Sequence, residues 1–164
     1  MRTIKINIDR DAVLLEVAQR AYTLGEVIAD NEKVRWLLQS VTDAGHKEMM
    51  SRAMSDAMEL IYQAMSPYKE NRDNVRDGNA EIEEATTGVL LEKYVMLYVP
   101  DNSLADLPRR LARAVHGVLV ESCMARWHEL MKQDANVSLM RVSAGLGDIK
   151  VMLNTRIGVL TQID

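Results

Sequence analysis

The sequence predicts a mainly α fold, a helical bundle of about four to five helices with a small two-stranded β element. Three observations carry this expectation. Apolar residues recur at three- and four-residue steps through most of the chain, and one N-terminal stretch alternates at every second residue instead. An aliphatic run, 89–99, ends at Pro100-Asp101-Asn102, a cluster of turn formers. The length of 164 residues fits one domain, 1–164.

Taken in order, Ile4, Ile6 and Ile8 alternate with Thr3, Lys5, Asn7 and Asp9, which reads as a half-buried strand. Asp9 ends it and caps a helix reaching about Ala29, whose expected apolar set is Ala12, Leu15, Val17, Ala18, Ala21, Tyr22, Leu24 and Ile28. Gly25 weakens its last turns. Asp30-Asn31 offers a second cap, for a shorter helix with Val34, Leu37, Leu38 and Val41 on one stripe and Trp36 beside them.

After a break near 42–45, Met50, Met54, Ala57, Met58, Ile61 and Met65 form one helical stripe that stops at Pro67. The run that follows is charged and turn-rich, which predicts a mobile loop at 68–80. The segment 89–99 reads as a strand able to pair with Ile4–Ile8, since a lone strand would leave its backbone groups unsatisfied. Helix is the open alternative there, because period alone does not decide an apolar run of this length.

Ser103, Asp106 and Pro108 suit the start of the strongest helix, running to about Lys132 with Leu107, Leu111, Val115, Val118, Leu119, Cys123, Trp127, Leu130 and Met131 on its face. Val120 and Met124 widen that face, so this helix should be central and Trp127 an anchor. A turn at Asp134-Ala135-Asn136 leads to a last helix with Val137, Met140, Val142, Leu146, Ile149, Val151, Met152, Leu153 and Ile157, loosened at Gly145-Leu146-Gly147. Gly158 to Asp164 should fray or add an edge strand.

Composition removes several functional classes. Hydrophobic residues at 48% and charged residues at 27% describe a folded chain, and a net charge of -4 gives no reason to expect nucleic acid as a partner. No apolar run is long enough to span a bilayer and the N-terminus lacks a signal-peptide core, so no membrane partner and a cytoplasmic location are expected. One cysteine, Cys123, allows no internal disulfide. There is no phenylalanine, whereas methionine occurs 11 times, so the core must rest on aliphatic and thioether side chains.

Residues that could do chemistry are few and scattered. His46, His116, His128 and Cys123 show no metal-ligand spacing, so no metal and no cofactor are expected. Glu121 and His128 share a helix face without an aligned nucleophile, and a cysteine on an apolar stripe is a small hydrophobe before it is a nucleophile. Gly145-Leu146-Gly147-Asp148 lacks the rest of a phosphate loop, and Asp77, Glu81, Glu83 and Glu84 lack calcium-loop spacing. No catalytic residues are assigned, and the chain is expected not to be an enzyme.

Two features remain as candidate contact surfaces. Met50, Met54 and Met58 could line an adaptable groove for a ligand or peptide, or simply fill the core. Arg109, Arg110 and Arg113 put positive charge where the helix dipole favours acids, balanced by Asp101 and Asp106 or else free to dock an acidic partner.

The order from Tyr94 to Trp127, an apolar strand, Val99-Pro100-Asp101-Asn102, a leucine-bearing helix start, Val118-Leu119-Val120 and Ala125-Arg126-Trp127, resembles small structural proteins of tailed phages and prophages. The closing Ile149–Arg156 segment is similar to theirs as well. The resemblance implies a non-enzymatic virion or assembly component near the head-tail junction, working through subunit contacts as a homo-oligomer or with other protein subunits. The competing expectation is a small helical module that binds a ligand or peptide in a methionine-lined groove.

Overall fold

The computed structural model describes residues 2–28, 32, 40, 43–69 and 94–158. Strand β1 (Arg2–Asn7) leads into helix α1 (Arg10–Ile28); helix α2 (Ala44–Met65) ends in a 3-10 turn; strand β2 (Tyr94–Val99) precedes helices α3 (Leu107–Leu130) and α4 (Asn136–Asn154). The fold is mainly α with a small antiparallel sheet. The expected short helix around Trp36, the loop residues 70–80, the part of the aliphatic run at 89–93 and the tail at 159–164 lie outside the described residues.

The alternating pattern of β1 has its expected use. Ile4 faces Leu97 and Ile6 faces Val95 in antiparallel register, with Ile4, Ile6, Val95, Leu97 and Val99 all buried on one side. The strand reading of the aliphatic run therefore holds for Tyr94–Val99. On the solvent side the Lys5 ammonium sits 4.3 Å from the centre of the Tyr94 ring. Arg2 donates to the carbonyls of Ser103 and Leu104, which ties the first strand to the entry of α3.

Helix α1 starts where Asp9 places it: the Ala12 N–H donates to Asp9 Oδ1 at 3.0 Å. Its buried side chains among the described residues are Val13, Val17 and Ala21, one turn apart. This corrects the expected apolar face, because Leu15 and Tyr22 point to solvent with Val27. The helix carries two apolar stripes, and the β-branched pair Val13 and Val17 won the core.

Helix α3 organises the bundle. It packs against α1, α2, α4 and β1. Leu107, Leu111, Val115, Val118, Leu119, Val120, Cys123, Met124 and Trp127 are all buried, as the broad stripe predicts. Leu130 is exposed instead, since the helix closes there. The closure is a Schellman arrangement: Lys132 takes a left-handed φ of 55° while the Gln133 N–H donates to His128 O and the Lys132 N–H to Glu129 O.

Helix α4 runs without a break through Gly145-Leu146-Gly147, which overturns the expected loosening. Gly145 has a packing reason: a Cβ there would lie 2.6 Å from Val118 Cγ2 of α3. Ser138, Val142, Ile149 and Leu153 face the core, whereas Val137, Met140 and Val151, expected to be apolar core contacts, face outward. Beyond the helix, Ile157 donates its N–H to Asn102 O at 2.8 Å, which fastens the end of α4 beside the turn before α3.

Candidate functional site

The most distinctive side-chain cluster lies where α1 crosses α3. Glu16 and Arg20 stand one helical turn apart on α1 and form an ion pair at 2.8 Å. Arg20 also reaches across to Glu121 on α3, whose Oε1 accepts a second, longer contact of 3.3 Å from Arg141 on α4. Three helices thus share one carboxylate. Glu121 is only 7% exposed, and its Oε2 is buried with no hydrogen-bond partner. An ionised carboxylate so placed depends on its two guanidinium neighbours, because an unpaired buried charge is strongly destabilising.

His116 completes the cluster, its Nε2 2.6 Å from Glu16 Oε2. That hydrogen bond, against the opposing effect of burial and with Arg20 assisting, holds the Glu16 carboxyl below its ordinary value of 4.5. An ionised carboxylate only accepts hydrogen bonds, so Nε2 is the protonated ring nitrogen. Beside these groups runs a groove of about 810 Å³ between α1 and α3, with Leu15, Leu24 and Val27 as its apolar wall and Glu16, Arg20 and His116 as its polar floor. Its one hydroxyl, Thr23 Oγ1, donates to the Gln19 carbonyl at 3.0 Å. The Glu16–His116 pair has no adjacent nucleophile in this lining, and the Glu16 carboxylate is balanced by Arg20.

The residues expected to form contact surfaces are placed differently. Met50, Met54 and Met58 are buried with Ala57, Ile61 and Met65 in the shared core, so among the described residues the methionine stripe is core packing. Arg110 is held by Asp106 at 2.7 Å, and Arg110 with the charge of Arg109 lowers the Asp106 pKa; the acid offsets the basic run at the helix start. Arg109 and Arg113 are exposed on the same turn region.

Cys123 is fully buried, donates its S–H to the Met50 carbonyl at 3.7 Å, and has its pKa pushed up to about 12 by burial, which keeps it a neutral thiol. His46 stands edge-on to the Trp127 ring with 5.0 Å between centres, and its Nδ1 lies 2.8 Å from Ser40 O. Glu121 joins arginines of α1 and α4 in place of the His128 that shares its helix face in the sequence. Among the described residues no three His, Cys, Asp or Glu side chains gather closely enough to hold a metal ion, and no helix is long and apolar enough to cross a membrane.

The three-helix charge cluster escaped sequence reasoning. Its signals were the i, i+4 pair Glu16 and Arg20, and an acid, Glu121, set inside the apolar stretch from Val118 to Met124. Compared with protein-family models, curated proteins and solved structures, the chain matches none of them.

Proposed function

We propose that the chain is a non-enzymatic structural or interaction protein that acts through contacts between protein subunits, self-association first among them. One observation carries this reading. The described core packs aliphatic and thioether side chains around Trp127, yet two helices present further large apolar residues to solvent: Leu15, Tyr22 and Val27 on α1, and Val137, Met140 and Val151 on α4. Apolar side chains grouped along a helix face mark interaction surfaces more often than scattered ones do. The resemblance of 94–156 to small structural proteins of tailed phages supports a role in virion assembly, where such contacts are the activity.

The test is the molar mass of the purified chain by light scattering across micromolar concentrations. A defined oligomer is expected. A monomer at every concentration overturns the reading.

A further inference from the structure

We infer that the outer face of α4 docks the same helix of a second copy of this chain, antiparallel, about a two-fold axis between Ala144 and Gly147. The inference rests on the proposed role in subunit contacts and names the surface that would make them.

Val137, Met140, Ala144, Gly147 and Val151 are all exposed, and their spacing alternates three and four residues. At about 100° per residue they fall within an arc of about 80°, opposite the arc that holds Val142, Ile149 and Leu153 against the core. A narrow seam of period 3.5 is the pattern that a pair of helices buries, distinct from the wider stripe a helix turns toward a globular core. From Val137 to Val151 it runs about 21 Å.

The chemistry along the seam agrees. Glycine weakens a helix interior relative to alanine, and unlike Gly145, Gly147 has no atom of another described element within 4 Å of where a Cβ would stand. Packing within the protomer therefore does not ask for it. Ala144 and Gly147 instead form a thin waist that lets two helices approach closely, and the flexible thioether of Met140, 72% exposed, can fill the space beside them.

Charge selects the direction and register. Arg141 and Asp148 lie two turns apart on one flank of the seam; the other flank carries Ser143 and Lys150. In an antiparallel pair like flanks meet. Setting Ala144 opposite the second copy's Gly147 places each Arg141 beside an Asp148, twice by symmetry, whereas a slip of one heptad sets Arg141 against Arg141. A parallel pair would face Arg141 with the flank that has no carboxylate. Arg141 remains 62% exposed while it touches Glu121, and a guanidinium has five donors, so it can serve both.

The experiment has two arms. Sedimentation of Met140→Glu and Val151→Glu should show self-association weakened at least about tenfold relative to the unaltered chain, with unfolding of the separated protomer in dilute protein unchanged because both positions face solvent; Leu60→Glu on α2, also exposed, should associate normally. If both α4 variants associate as the unaltered chain does, this surface is wrong while the oligomer reading stands; an unaltered chain that is monomeric overturns both. In the second arm, Ala144→Cys and Gly147→Cys proteins are mixed and oxidised, Cys123 being buried. Disulfides joining 144 to 147 are expected; disulfides joining 144 to 144 and 147 to 147 instead overturn the antiparallel arrangement.

Discussion

Trp127 shows how much one residue holds together. Its ring is wholly buried in α3, with His46 of α2 edge-on at 5.0 Å. Trp127→Ala would remove a large buried surface and leave a cavity between two helices, so a loss of about 3 to 5 kcal/mol is expected in urea or thermal unfolding. An unchanged midpoint would contradict the placement. This anchor was legible because Trp127 follows Cys123 by one turn in the four-residue series Leu111, Val115, Leu119, Cys123 that winds through the broad apolar stripe. Leu15 and Tyr22 were misread for the complementary reason: periodicity gives the direction of an apolar stripe, but α1 has two, and only the tertiary partner decides which is covered. Glu121 was harder still. Nothing local says that Arg20, 101 positions away, would meet it.

At the scale of elements, the two glycines of α4 separate cleanly. Gly145→Ala would drive a Cβ into the stiff, buried Val118, an overpacking expected to destabilise by about 1 to 3 kcal/mol. Gly147→Ala meets open space and gains helix propensity, up to about 1 kcal/mol. Opposite shifts of the unfolding midpoint in dilute protein check the pair; equal shifts would dissolve the distinction. In the sequence both glycines looked like one breaker motif. A glycine costs a helix too little to end it when Val142, Ile149 and Leu153 pack against the bundle, so continuity was decided by burial. The end of α3, by contrast, fell close to Lys132 as expected, although the left-handed residue there is a lysine where glycine is the usual occupant.

For the whole molecule, the strand pairing and the bundle around α3 were legible, since each followed from a strong local pattern plus the need to satisfy a strand's backbone. The charge cluster linking α1, α3 and α4 was not, and it makes stability depend on acidity. Glu16 has its pKa lowered in the folded chain, chiefly by the His116 hydrogen bond. A depressed carboxyl stabilises the fold fully above its ordinary value of 4.5 and loses that contribution as pH falls through the lower folded value. The stability difference between the unaltered chain and Glu16→Gln should therefore be present at neutral pH and shrink as the medium is acidified below about pH 4.5. A difference that stays constant down to strongly acidic pH would show that the pairing contributes nothing.

The thiol of Cys123 gives the chain a built-in reporter. Its S–H points from α3 to the Met50 carbonyl of α2, and burial keeps it protonated and out of reach of water-borne reagents. A thiol reagent can reach it only when the packing over it opens, as a parting of α2 from α3 would do, so the rate of its modification measures, without any introduced label, how often that part of the core is exposed.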